Sequence, residues 1–456
     1  MQYLNISLDI KNKPELDPGF IPVFKFNKAY LKTAKQPFSF AIERNDNQIF
    51  VKSTFIQGGE ENAEADLLYT ERLLKFELWQ KGGFKIYING DASIIGKLKQ
   101  IYSPDGARAF DAKFMSRVYQ KAFEIIGCDK LPEPYESKKV VGGHFDGCRV
   151  GVDFGGSDYK VAAVIDGEAV YSNETVWNPK TNSDPDYHLA NITAAMKEAA
   201  EHLPRVDAIG ISSAGLVGNN KVLYAQLYGE VPENLYATRI KDIYAQAVSA
   251  VGKDIPFEVA NDGDVAALAG AICLSKKNIL GLAMGTSYIG GFIDKTGNLS
   301  NRISELAFAP ADLSPDAAAD VWTKDIGVGV QYFCQEAVIK LAPAADIDIS
   351  GYDTPAKKLK AVQKQLAEGH KGAAAIFKTI GSYLGHTIPQ YVEIYGAESY
   401  LLLGRVVSGK GGDIIKETAE MVLKDEYPEL SAEILLPDEK TRRMGQSVAA
   451  ASLPKL

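Results

Sequence analysis

The sequence predicts an α/β chain of two lobes with an additional α+β domain at its N-terminal end. The chain has 456 residues, more than one hydrophobic core ordinarily supports. From Cys148 onward, CRVGVDFGGSDYKVAAVIDGEAVYSNETVW reads as three short β-rich runs parted by glycine or aspartate turns, followed by a helical stretch and the strand DAIGISSAG. A comparable series restarts at KNILGLAMGTSYIGGFIDKTG, so the second half echoes the first in pattern rather than in residue identity.

The residues before Gly147 follow a different plan. FSFAIERNDNQIFVKSTFI predicts a hairpin around Asn45, Asp46 and Asn47, and GGFKIYING a further strand. AFDAKFMSRVYQKAFEIIG sets Phe110, Phe114, Val118 and Phe123 near helical spacing, with Gly127 placed to end the helix. KLPEPYESKKVVGGHFDG, with two prolines, a lysine pair and a double glycine, predicts a linker and a boundary near Gly147. LLLGRVVSGKGGDIIKETAEMVL supplies a late strand, glycine loop and helix, and PDEKTRRMGQSVAAASL a closing helix of small residues.

Composition narrows the function classes. The chain is 46% hydrophobic and 24% charged, as a globular enzyme would be. A net charge of -8 argues against a broad nucleic-acid footprint, so no nucleic-acid partner is expected. The opening MQYLNISLDIKNKPELDPGF has no basic leader followed by a long apolar run, and no later segment reaches the ~18 apolar residues of a membrane span. A cytoplasmic protein without a membrane partner is expected. Cys128, Cys148, Cys273 and Cys334 are too scattered for a zinc knuckle or a disulfide framework.

Three motifs could carry chemistry. In Asp153-Phe154-Gly155-Gly156-Ser157 a turn between two β-rich runs exposes backbone N–H groups; glycines let a phosphate approach them, Ser157 adds a hydroxyl, and Asp153 could hold Mg²⁺ through water. A plain hairpin turn explains this motif alone equally well. Met284-Gly285-Thr286-Ser287-Tyr288 repeats the arrangement, and the pair together favours two loops gripping the polyphosphate of ATP. In Glu258-Val259-Ala260-Asn261-Asp262-Gly263-Asp264-Val265 an extended segment ends in a polar elbow before a helix, where Asp or Asn is the expected N-cap and Asp264 or Asp262 could do no more than cap that helix. The functional alternative has Asp262 take the proton of a sugar hydroxyl while Asn261 holds a neighbouring hydroxyl.

In this order the motifs resemble the ROK family (repressors, open reading frames and sugar kinases) of the actin-like ATPase superfamily, over roughly Val150 to the C-terminus. The resemblance implies a two-lobed actin-like, ribonuclease H-like fold, with a first lobe over 147–275, a second over 276–439, a helix within 440–456 returning to the first, and residues 1–146 as a separate domain. It implies ATP-dependent phosphorylation of a sugar hydroxyl with Asp262 as general base, Mg²⁺ as the metal, and Gly155, Gly156, Ser157, Gly285, Thr286 and Ser287 on the phosphates. Ile209–Gly215 is similar to the strand and turn bordering the sugar site, making Asn261, Ser213 and Gly215 substrate neighbours; Leu403–Ser408 is similar to the nucleotide-side glycine segment, with Gly404 and Arg405. A homodimer is a candidate assembly.

The departures are specific. The family carries a lysine directly after the hydroxyl of its first loop, whereas here Asp158 follows Ser157 and the lysine arrives at Lys160. The family's Glu-x-Gly-His motif reads Glu305-Leu306-Ala307-Phe308, keeping the glutamate as a sugar ligand and losing the histidine. Its cysteine-rich zinc loop is absent, so no zinc site is expected. His144 with Cys148 reads as linker and strand, and Trp177, Asn178 and Tyr187 as packing residues rather than a sugar-stacking set. The rival functions are a sugar-binding protein of weak catalytic power and a sugar-responsive transcriptional regulator; the latter needs a basic recognition helix that residues 1–60 do not contain.

Overall fold

Strands buried on both faces read as continuous apolar runs, and Cys148–Phe154 and Ala208–Ser213 are buried along their whole length. The computed structural model describes residues 1–136, 140–300, 302–437 and 445–456. It divides into two compact units: a central unit of 139–281, 291–300 and 437–456, and a composite unit of 1–138, 282–290 and 301–436.

The central unit is built on a five-stranded sheet ordered Phe257–Asn261, Ala208–Ser213, Cys148–Phe154, Asp158–Ile165 and Glu168–Val176. The first three strands run parallel and the last two return antiparallel. Asp166 and Gly167, with φ of 47° and 89°, make the tight turn that an Asp-Gly pair favours between twisted strands. Val150, Val152 and Phe154 pack on the helices Pro185–Ala200 and Ile243–Val251 through Ile192, Met196, Tyr244 and Ala247. The opposite face takes the short helix Gln446–Ala451. Glycine is required there, because a β-carbon on Gly151 would run into the carbonyl of Ser447 and one on Gly210 into that of Ala450. The part of the expected closing helix over 438–444 lies outside the described residues, as does the lysine pair at 138–139.

In the composite unit the expected hairpin is present: Gln36–Glu43 pairs with Ile49–Ile56, with Asp46 and Asn47 left-handed in its turn. Lys85–Asn89 adds antiparallel to Gln36–Glu43, and Glu124–Gly127 adds parallel to Lys85–Asn89. Two expectations are corrected. The helix expected to run to Gly127 spans Ala109–Tyr119; Gln120 turns left-handed at φ 53°, and Ile125 and Ile126 go into the sheet, where β-branched side chains pack well.

The second correction concerns residues 1–146, which do not form a domain of their own. Residues 1–138 cluster with 282–290 and 301–436. Phe20 is buried against Tyr332 and Tyr383. The helix Ala63–Lys81 is buried on nearly all sides from Tyr69 onward. Its Arg72 makes a bidentate pair with Asp325 at 2.8 and 3.0 Å. Lys75 reaches Asp325 at 3.1 Å and Asp111 at 2.6 Å; Arg108 bonds Asp325 at 2.9 Å and Glu71 at 2.7 Å. Burial opposes the charge on Asp325, but Lys75, Arg72 and Arg108 outweigh it and hold this carboxyl well below the usual range. The longest helix, Lys371–Tyr395, packs beside Lys410–Glu426, and Ser399–Leu403 pairs in parallel with Glu433–Leu435. No described helix is long and apolar enough to cross a membrane.

Candidate functional site

In the central unit, the strand Phe257–Asn261 gives way directly to the helix Asp262–Leu274. The N-cap is Asn261, not Asp262 or Asp264: its Oδ1 accepts the Gly263 N–H at 2.8 Å, the role Asn fills well at this position. Its Nδ2 donates to the Gly215 carbonyl at 2.8 Å. Gly215 sits at φ 120°, and a β-carbon there would meet Ala225 and the Tyr224 carbonyl. Asn261 thereby locks the elbow to the end of the neighbouring strand, and Asp262 Oδ1 shares the Gly263 N–H at 2.9 Å.

Asp262 begins the first helical turn, where the helix dipole favours an anion. Burial, then the like charge of Asp153, push its pKa up to about 6, against the pull of the Gly263 amide. Gln446 from the closing helix donates to its backbone carbonyl at 3.0 Å. Asp153 stands at the end of Cys148–Phe154 with Oδ1 accepting from Ser212 Oγ at 2.6 Å, and burial raises its pKa as well. Two neighbouring carboxylates of raised pKa, one at a helix start and one at a strand end, are the kind of pair that functional sites assemble.

The loop 155–157 closes the hairpin between Cys148–Phe154 and Asp158–Ile165, with Gly155 N bonded to the Asp158 carbonyl at 3.0 Å. Ser157 Oγ donates to Asp158 at 2.8 Å, and Lys160 Nζ to the same carboxylate at 2.9 Å. Asp158 thus takes up both the loop's hydroxyl and its following lysine. Ser213 is fully buried, its hydroxyl 2.6 Å from that of Tyr244, which also accepts from Tyr228 at 3.0 Å.

The remaining candidates lie in the composite unit. Gly285, Thr286 and Ser287 join the strands Ile279–Met284 and Tyr288–Ile293. Gly285 N bonds Ser287 O at 3.1 Å, and a β-carbon on Gly285 would meet nothing within 4 Å, so its backbone is open to approach. Gly404, at φ 97°, brings its segment onto the same strand end: a β-carbon there would stand 2.5 Å from the Met284 carbonyl oxygen, which accepts the Val406 N–H at 3.0 Å. Arg405 follows, its carbonyl bonded by Gln363 at 2.7 Å.

Glu305 is half-buried at the start of the 3-10 turn Leu306–Phe308. Sequence reasoning missed what holds it. The Glu305 and Ser304 amides donate to Trp79 and Gln80 carbonyls at 3.1 Å each, at the end of the helix Ala63–Lys81. Ser304 is left-handed at φ 45°, buried, and accepts from Tyr395 OH at 3.2 Å. The Trp79 ring lies 4.6 Å from that of Phe308. No short-range signal reveals this support, because Trp79 and Gln80 lie more than 200 residues away in sequence and Tyr395 lies 91 away. Among the described residues no group of three metal-ligating side chains occurs.

No protein-family profile matches this chain, and no curated protein does. Solved structures do match. A ROK hexokinase from Thermus thermophilus is 16% identical, with 67% of this chain and 97% of that chain covered and a TM-score of 0.52. A ROK-family transcriptional regulator, described as a homolog of the E. coli MLC protein, is 17% identical, with coverage of 67% and 78% and a TM-score of 0.52. A ROK glucokinase from Streptomyces griseus, solved with glucose and AMPPNP, is 21% identical over 67% and 98%, with a TM-score of 0.49. The fold of this chain is therefore the actin-like α/β fold of ROK sugar kinases and ROK regulators.

Proposed function

We propose that the protein transfers the γ-phosphoryl group of ATP to a sugar hydroxyl, with Asp262 as general base. One observation carries this reading: a carboxyl of pKa about 6, at a helix start, with its neighbour Asn261 pinned to Gly215 and a second carboxylate at Asp153. A base of this pKa is ionised at neutral pH and still basic enough to accept a proton as a hydroxyl attacks phosphorus.

In the reaction the sugar oxygen bonds to the γ-phosphorus, the bond to the β-phosphate oxygen breaks, the hydroxyl proton passes to Asp262 Oδ, and ADP leaves. Asn261 and Glu305 hold sugar hydroxyls, Gly215 shapes the pocket, and Ser213 supports it through Tyr244. Backbone amides of Gly155, Gly156, Gly285 and Thr286, with the hydroxyls of Ser157 and Ser287, take the phosphates, and Gly404 and Arg405 border the nucleotide. Mg²⁺ supplies charge neutralisation on the phosphates. With no preassembled set of three ligating side chains among the described residues, this chain suits a cation held by Asp153 through water and by the nucleotide, as Mg²⁺ prefers.

The test is ADP release by the purified protein with MgATP across hexoses, amino sugars and polyols, with Asp262→Asn run in parallel. Stimulation by one sugar that disappears in the variant supports the kinase reading. Sugar binding with a flat ADP panel turns the assignment to a sugar-binding protein or regulator, the second reading favoured by the equal TM-score of the ROK regulator.

A further inference from the structure

The first glycine loop lacks a free cation of its own, since Lys160 is held by Asp158. A different lysine reaches it. Trp177, just beyond the strand Glu168–Val176, is tied to the loop twice: its backbone N–H donates to the Ser157 carbonyl at 3.1 Å, and its indole Nε1 to the Gly155 carbonyl at 2.8 Å. The indole is buried, 5.5 Å from the ring of Phe154 and 5.8 Å from that of Tyr159. The segment beginning at Trp177 is therefore fixed to the hairpin by core packing as well as by hydrogen bonds.

Pro179, also buried, then opens the 3-10 turn Pro179–Thr181. This turn carries Lys180 over the loop: a β-carbon on Gly156 would stand 2.5 Å from Lys180 Cε and 2.6 Å from its Nζ. Lys180 is exposed, and among the described residues no carboxylate pairs with it. An unpaired ammonium lying on a glycine backbone is chemically suited to a phosphate oxygen, binding as a point charge beside the amides.

We propose that Lys180 is the phosphate-binding lysine of the first glycine loop and contacts the polyphosphate of the nucleotide. The proposal rests on the reading of residues 155–157 as a phosphate loop. It assigns to the segment after the third strand a role that the family resemblance implies for the residue after Ser157, which here is Asp158.

The test is calorimetric titration of the full-length protein and its Lys180→Gln and Lys180→Arg variants with ATP, tripolyphosphate and adenosine. Lys180→Gln is expected to weaken ATP and tripolyphosphate by about tenfold while leaving adenosine unchanged, and Lys180→Arg to restore most of the loss. In the kinase assay the KM for ATP rises and that for the sugar does not. Because Lys180 is exposed, the melting temperature stays unchanged, which separates ligand contact from support of the fold. If the wild type binds tripolyphosphate and Lys180→Gln binds it equally well, the assignment of Lys180 is overturned and the phosphate loop stands. If the wild type binds no tripolyphosphate, the loop reading falls and takes the assignment with it.

Discussion

The central unit and the composite unit hold their candidate residues in opposite ways. In the central unit Asp153 and Asn261 sit at the ends of two strands that flank Ala208–Ser213 in one sheet, Asp262 follows at a helix start, and side chains are fixed by their own hydrogen bonds, Asp153 by Ser212 and Asn261 to the Gly215 carbonyl. In the composite unit Gly285, Glu305 and Gly404 are placed by backbone contacts, and the support for Glu305 comes from a helix more than 200 residues earlier. The first arrangement concentrates charge and shifts pKa values; the second fixes loop shape. On the proposed reading Asp262, beside Asp153, should therefore govern the chemical step, and Glu305 binding.

The sharpest break of this comparison is Asp262→Asn. It should lower kcat about 10³-fold or more with little change in the KM for sugar. It should also raise stability. A carboxyl whose folded pKa is raised from 3.8 to about 6 contributes stability that is present below pH 3.8 and lost as pH rises through about 6, a difference of about 3 kcal/mol at neutral pH. Differential scanning calorimetry at pH 7.5 should show the variant melting higher than wild type, and a lower melting temperature would contradict the assigned environment.

Next in size is Arg72→Met, which leaves Asp325 and Glu71 with one buried cation fewer. Breaking such a network by removing one partner is strongly destabilising, about 3–5 kcal/mol, measurable by urea unfolding. Hydrogen exchange should quicken at 304–308 and 320–326 and stay unchanged at 257–263. Glu305→Gln sharpens the comparison from the other side, raising the KM for sugar about tenfold with kcat nearly intact. The smallest effect is that of pH: kcat/KM should be flat above pH 7, halved near pH 6 and about tenfold lower near pH 5 as Asp262 takes up a proton. The Glu305→Gln variant should keep that acid limb in place.

The parts of this arrangement that were legible in the sequence are those set by neighbours along the chain. Gly155 and Gly156 announce a hairpin turn between apolar runs, and Asn261-Asp262 announces an elbow, because turn and cap chemistry act over three or four residues. The second bond of the cap was not legible: Asn261 Nδ2 reaches the Gly215 carbonyl only because Ala208–Ser213 pairs with Phe257–Asn261. Lys180 was hidden because its position follows from burial of Trp177, a residue the sequence offers only as ordinary packing. The helix ending at Gln120 and the merging of residues 1–138 into the composite unit depend on partners supplied elsewhere, among them Lys85–Asn89 and Asp325.

The interrupted make-up of the two units also sets a timetable for their synthesis. Residues 1–138 leave the ribosome early, yet Phe308, the partner of Trp79, and Asp325, the counter-ion of Arg72 and Lys75, belong to the stretch after 300. At roughly 5–20 residues per second, the early segment waits on the order of 10–30 s with those surfaces uncovered. The sheet of the central unit waits as well: the helix that fills the hollows at Gly151 and Gly210 spans Gln446–Ala451, which emerges long after the strand Phe257–Asn261.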